Sequence, residues 1–290
     1  MGPAFHTLAS HFEILRLQVF IQFQADTELP AFKGSMLHGW FGHALKGSDE
    51  HAFFVFYGEH EGQQPKPYLL RPNQDNKTHW HAREYYDFEI VLFGDACKLA
   101  DKVINACQFG EHLGFGAKRC PIKLVSISSV IPAGMKPGIH CSTLLSWLQL
   151  PDLAQVQTEI ALHFKTPMRL KHQGSILKNN APNLEDCIRH IHRRWLLLSR
   201  FWVMDESSLF DALEAERPRL GDYEMNSHVY YEDWQRFSHK QQAALPFGGL
   251  MGQVSYFGDI ATAIPWLKLG QHLHIGGKTT FGLGAYQLIA

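Results

Sequence analysis

A chain of 290 residues holds one large domain or two of medium size, with ample core in either case. Its formal charge of −1 excludes a surface coated in base, although eighteen histidines near their titration point and a clustering of Lys and Arg leave room for a local basic groove. The five cysteines, Cys97, Cys107, Cys120, Cys141 and Cys187, form no C-x-x-C pair and read as free thiols of a reducing cytoplasm; no His/Cys set has metal-ligand spacing, so neither a metal nor a cofactor is expected. With no signal peptide and no apolar run of membrane-spanning length, a soluble cytoplasmic protein without a membrane partner is expected.

Taken in order, the first element is a strand over Ile14 to Gln24, where Leu15, Leu17, Val19, Ile21 and Phe23 alternate with polar neighbours. Pro30 and Gly34 turn the chain into a helix from about Ser35 to Lys46, with Met36, Leu37, Trp40, Phe41, Ala44 and Leu45 on one broad face. His38 and His43 fall on opposite edges of that face, and Lys46 follows His43 by one turn. A polar, histidine-bearing connection from Gly47 to Pro67, with His51 and His60, leads to a short strand at Tyr68 to Arg71 and a longer one at Tyr85 to Phe93. A helix capped by Asp95 runs to about Gln108, a glycine-rich loop at Gly110, Gly114 and Gly116 carries Lys118 and Arg119, and a strand follows from Ile122 to Val130. Strand, helix, strand, strand, helix, strand is the split βαβ unit of ferredoxin-like folds.

Prolines and glycines between Pro132 and Pro151 place a domain boundary near residue 150, giving domains 1–150 and 151–290. The second half repeats the alternation. A strand from Val156 to Phe164 enters Thr166-Pro167-Met168-Arg169-Leu170-Lys171, and Asn183 with Asp186 caps a helix of about twenty residues that carries Arg193 and Arg194. A polar insertion spans Asp205 to His228, after which a segment around Trp234 enters a strand through Gly248 to Tyr256, and a short helix covers Ile260 to Leu269. Strands at Gln271 to Ile275, holding His272 and His274, and at Phe281 to Leu288 flank a loop with Gly276, Gly277, Lys278, Thr279, Thr280, Gly282 and Gly284. Glycines at that density permit sharp turning and a concavity of N–H groups for an anion, and the loop alone leaves a phosphate cradle and a bare turn equally open.

The run from Leu29 to Leu45, Thr166 to Lys171, the Arg193-Arg194 helix, Gly249-Leu250-Met251-Gly252-Gln253-Val254 and the terminal glycine-rich segment ending at Tyr286 together resemble the CRISPR-associated RAMP-type endoribonucleases that process precursor CRISPR RNA. The resemblance covers nearly the whole chain. It implies an α+β protein of two tandem ferredoxin-like (RRM-like, βαββαβ) domains, with CRISPR repeat RNA and its crRNA product as ligands and other CRISPR effector subunits as further partners. It also implies metal-independent cleavage leaving a 2′,3′-cyclic phosphate.

Such cleavage needs a base at the 2′-oxygen, an acid at the departing 5′-oxygen and positive charge at the phosphorane, and histidine suits the first two near neutrality. The family draws its histidine from the first helix or the loop after it, which points to His43, then His38, with His51 and His60 in reserve and Lys33 or Lys46 facing the phosphate. The RNA contacts it implies are Lys33, Lys118, Arg119, Arg169, Lys171, Arg193, Arg194 and the loop residues Gly276, Gly277, Lys278, Thr279, Thr280 and Gly282. Members often add a tyrosine or arginine on the first helix, whereas none lies between Gln24 and Leu45. A non-cleaving RAMP-fold RNA-binding subunit is therefore the alternative expectation.

Overall fold

A computed structural model describes residues 1–59, 62, 64–148, 159–233, 235–238 and 243–289; His60, Val156 and Trp234 lie outside them. The helices are α1 (Pro3–His11), α2 (Gly34–Ser48), α3 (Glu50–Tyr57), α4 (Ala100–Leu113), α5 (Leu184–Trp202), α6 (Ser207–Ala215) and α7 (Ile264–Leu273), besides short turns. The main strands are β1 (Glu13–Phe23), β2 (Tyr68–Pro72), β3 (Tyr85–Phe93), β4 (Ile122–Ile131), β5 (Glu159–Met168), β6 (Tyr223–Glu232), β7 (Gly249–Gly258) and β8 (Tyr286–Ile289). None of the described helices is long and apolar enough to cross a membrane.

The chain divides into two compact units, one of residues 10–147 and 197–205, the other of residues 1–9, 148–196 and 206–290. In the first, an antiparallel sheet runs in the order β2-β3-β1-β4, with β1 at its centre. Leu15, Leu17, Val19, Ile21 and Phe23 of β1 are buried with Leu37, Trp40 and Phe41 of α2 and Val103, Ala106 and Cys107 of α4. The indole of Trp40 donates to the Gly110 carbonyl at 3.2 Å, joining α2 to α4. The opposite sheet face is a polar ladder. Arg16 grips Glu89 through Nε at 2.8 Å and Nη2 at 2.7 Å, Gln18 donates to Asp87 at 2.8 Å, and Trp147 lies over the Arg16 guanidinium at 4.6 Å.

The second unit repeats the pattern with an antiparallel sheet in the order β6-β7-β5-β8. Helix α5 follows β5 and α7 follows β7, so both halves are βαββαβ with the first strand between the third and the fourth. Asn183 caps α5 as expected, its Oδ1 accepting the Asp186 N–H at 2.7 Å.

Several segments differ from the sequence expectation. The connection after Gly47 contains α3, and the polar insertion at 205–228 contains α6 and the start of β6. Residues 271–273 continue α7 rather than starting a strand, and the last strand begins only at Tyr286. The units also differ from a single cut at 150. Residues 1–9 count with the second unit because Phe5 packs edge-on against Trp195 at 4.9 Å and Trp266 at 5.2 Å, while the Glu216 carboxylate accepts the Ala4 and Phe5 N–H groups at 2.8 Å each. Residues 197–205 count with the first unit, where the Trp202 indole donates to the Pro65 carbonyl at 2.8 Å.

Phe5 is fully buried, so Phe5→Ala is expected to cost about 3–5 kcal/mol. The check is the midpoint of urea unfolding followed by tryptophan fluorescence, which Trp195 and Trp266 report directly.

Candidate functional site

Two groups of side chains, one in each unit, hold the residues singled out in the sequence. The first surrounds α2. At its amino end Lys33 is completely buried, and its ammonium donates to the Asp75 carboxylate at 2.6 Å, the Lys77 carbonyl at 2.9 Å and the Ala31 carbonyl at 3.2 Å. The rings of Trp80 and Tyr86 flank it at 5.6 and 5.5 Å. This corrects the expectation that Lys33 meets RNA: all three of its protons are committed, and the ion pair pins the start of α2 to residues 75–77.

At the other end Asp49 turns α2 into α3. Its N–H closes α2 on the Leu45 carbonyl at 2.8 Å, and its carboxylate caps α3 at the Ala52 N–H, also at 2.8 Å. Lys102 pairs with the same carboxylate at 2.8 Å; its hydrogen bond, followed by that from Ala52, holds the Asp49 carboxyl below the usual range.

His43 and Lys46 stand exposed on α2, with the Lys46 ammonium 6.0 Å from the Phe53 ring centre. His38 is half-buried, with its ring 4.8 Å from Tyr57 and 6.4 Å from Tyr68. Tyr57, at the end of α3, donates its hydroxyl to the His38 carbonyl at 2.6 Å, and burial with the nearby Tyr68 pushes its phenol well above the usual 10. Gly42 makes room for the Tyr57 ring, since a Cβ there would lie 2.7 Å from it. Sequence reasoning found no tyrosine on the first helix; the structure supplies one from the next, in a segment read as a loop. His51 is exposed on α3.

The second group is the glycine-rich loop from His274 to Ala285. Gly276 and Gly284 have φ of 86° and 76°, and a Cβ at either would strike a carbonyl, that of Arg169 at 2.5 Å and that of Ile275 at 1.9 Å. The loop is tied to the end of β5. The Gly277 N–H donates to the Arg169 carbonyl at 3.0 Å, the Gly284 N–H to Pro167 at 3.2 Å, and Thr166 bridges by donating to Gly282 and accepting from Ala285, both at 2.9 Å. His274 is buried, its Nδ1 donating to the Leu283 carbonyl at 3.2 Å, and so supports the loop rather than lining a strand beside it.

Lys278 is exposed at the loop's left-handed turn, Thr279 is buried and Thr280 half-buried. Arg169 is buried and donates to the Gly248 carbonyl, which corrects its expected RNA contact in favour of a structural one. Arg194 sends Nε to the Leu273 carbonyl at 2.8 Å, and its Nη2 is buried with no hydrogen-bond partner; desolvation pushes its guanidinium down to about 10. Arg193 and Lys171 are exposed. In the other unit, Lys118 and Arg119 are exposed on the tight turn closed by Phe115 and Cys120, and Lys118 lies 3.7 Å from Glu28.

Residues 162–286, which contain this whole loop and the end of the strand that holds it, match the family model of the CRISPR-associated endoribonuclease Cas6. This stretch is similar to Cas6. Residues 12–48 and 56–145 match a model described as an N-terminal domain. The fold is similar to that of the partial Cas6-RT-Cas1–Cas2 complex, with a TM-score of 0.63 at 15% identity, covering 97% of this chain and 46% of that one. It is similar also to a Cas6 product complex, with a TM-score of 0.60 at 15% identity over 95% of this chain and 99% of that one. Thermus thermophilus Cas6 matches with a TM-score of 0.55 at 14% identity over 96% and 99% of the two chains. This chain thus spans less than half the length of the first of these. No curated protein matches it in sequence. The shared fold is the tandem ferredoxin-like α+β architecture described above.

Because Lys33 is structural, Lys33→Ala is expected to cost about 3 kcal/mol by stranding Asp75 in a partly buried position. Chemical denaturation checks this; an RNA-contact lysine would leave the unfolding midpoint in place.

Proposed function

We propose that this chain is an endoribonuclease that cleaves CRISPR repeat RNA within precursor CRISPR RNA. The observation that carries the reading is the Cas6 family match over residues 162–286, which coincides with a glycine-rich loop held rigidly on the end of β5. In this reading the loop and Lys278 clamp the RNA backbone, assisted by Lys171 and Arg193. Lys118 and Arg119 offer further charge for the same polyanion. That a similar Cas6 structure is a product complex supports retention of the cleaved crRNA.

The bond breaks at α2. One histidine, His43 in this proposal, withdraws the proton of the 2′-hydroxyl; the oxygen attacks the adjacent phosphorus and the 5′-oxygen departs, leaving a 2′,3′-cyclic phosphate and a 5′-hydroxyl. The leaving oxygen takes a proton from His38 or from water, and Lys46 stabilises the charge of the phosphorane. No step requires a metal. Tyr57 holds the backbone at His38 and keeps that ring against an aromatic wall, so its part is positioning.

A non-cleaving RNA-binding subunit is the second reading, favoured by one observation: the Tyr57 hydroxyl is committed to a backbone carbonyl, and α2 itself offers neither tyrosine nor arginine.

Labelled repeat RNA incubated with the protein in EDTA separates the two. Cleavage is expected to persist in EDTA and to fall by about 10²–10⁴-fold in His43→Ala. Persistence of full activity in His43→Ala, His38→Ala and the double variant would remove both histidines from the mechanism, and no cleavage by the unaltered protein would favour the second reading. Lys278→Ala is expected to weaken RNA binding and to reduce the slope of log K against log salt by about 1. An unchanged slope would take Lys278 out of the phosphate contacts.

A further inference from the structure

Outside the candidate site, three ligand-bearing side chains from distant parts of the sequence converge in the unit of residues 10–147 and 197–205. Glu13 is the first residue of β1, Cys97 lies in the turn Gly94–Leu99 after β3, and Cys141 immediately precedes the two-residue strand Ser142–Thr143. Sheet register explains the meeting. The start of β1 pairs with Phe93 on one side, through Ile14, and with Ser142 and Thr143 through Ile14 and Glu13. A carboxylate oxygen and two Sγ atoms consequently lie within 4.8 Å of one another. Cys97 is buried and forms the floor, while Glu13 and Cys141 are exposed and leave the cluster open to solvent.

We propose that Glu13, Cys97 and Cys141 bind one divalent cation of the zinc class. Two thiolates and a carboxylate form a donor set that suits zinc or cobalt(II) and disfavours magnesium and calcium, which take oxygen ligands. Zn–S bonds of about 2.3 Å and Zn–O bonds of about 2.0–2.2 Å put tetrahedral ligands about 3.5–3.8 Å apart, so the three side chains need to close by at most about 1.3 Å. Solvent supplies the fourth ligand on the open side. Binding releases the two thiol protons to solvent and involves no oxidant, so affinity falls as pH is lowered. A disulfide between the two sulfurs would leave the adjacent Glu13 carboxylate without a role, whereas the cation uses all three groups. The two thiols are close enough to share a proton, which pushes Cys97 up, together with its burial, and Cys141 down. The cation would tie the beginning of β1 to the turn after β3 and to the segment returning after β4. This site is independent of the RNA-cleavage reading.

The test is titration of the fully reduced, full-length protein with cobalt(II) under anaerobic conditions. Thiolate-to-cobalt charge-transfer absorption reports sulfur ligation and is blind to the many histidines. The absorption is expected to saturate at one equivalent, to vanish on adding zinc, and to be lost in Cys97→Ser and Cys141→Ser. Glu13→Gln is expected to weaken cobalt binding by about tenfold or more. Glu13 and Cys141 are exposed, so their variants should keep the metal-free melting temperature, which controls for folding. Zinc should raise the Tm of the unaltered protein and not that of Cys141→Ser. The proposal falls if the reduced protein shows no charge-transfer absorption, if both serine variants retain it, or if the two cysteines are isolated as a disulfide that takes up no cobalt after reduction.

Discussion

The glycine-rich loop depends on the backbone of the four residues that end and follow β5. The carbonyls of Pro167 and Arg169 and the hydroxyl of Thr166 receive or bridge the loop at four points, each between 2.9 and 3.2 Å. Backbone can approach backbone so closely only where there is no Cβ, and Gly276 and Gly284 sit at the two contacts that a side chain would close. Rigidity is the outcome. A loop whose donors are already oriented loses little further entropy when an anionic backbone docks against it, which is the advantage of a preorganised site.

The same economy governs charge. Lys33 and Arg169 were among the RNA contacts expected from the sequence, and both are buried with backbone carbonyls or a carboxylate as partners. Arg194 is an intermediate case, anchored by one nitrogen to the end of α7. The exposed cations Lys118, Arg119, Lys171, Arg193 and Lys278 remain as surface charge. Sequence alone does not separate these two populations, because burial of a lysine depends on a partner such as Asp75 that lies forty-two residues away.

Architecture was largely legible. The period-two pattern from Leu15 to Phe23 and the amphipathic faces of α2 and α5 led to the tandem βαββαβ arrangement, because each pattern agrees with what it packs against. Where the sequence misled, the reason is local. His272, Leu273, His274 and Ile275 alternate like a strand, but they straddle the end of α7 and a left-handed turn at His274. Helix α3 is short and apolar almost throughout, so it lacks an amphipathic period; its one signal was the Asp49 cap. Missing α3 hid Tyr57, and with it the tyrosine that stands against His38. The Glu13, Cys97 and Cys141 cluster was invisible for another reason: its members are brought together by sheet register, not by spacing along the chain.

Assignment of residues 1–9 to one unit and 197–205 to the other bears on how the molecule is made. On the ribosome Phe5 emerges long before the tryptophans that bury it, Trp195 and Trp266, which follow 190 and 261 residues later. The unit beginning at Ser10 has its whole sheet by Thr143 but must wait for Trp202 to reach Pro65. Neither core closes in the order in which its residues are synthesised. Completion of each unit is thereby coupled to progress through α5, and a nascent chain halted before that helix carries Phe5 without the tryptophans that bury it.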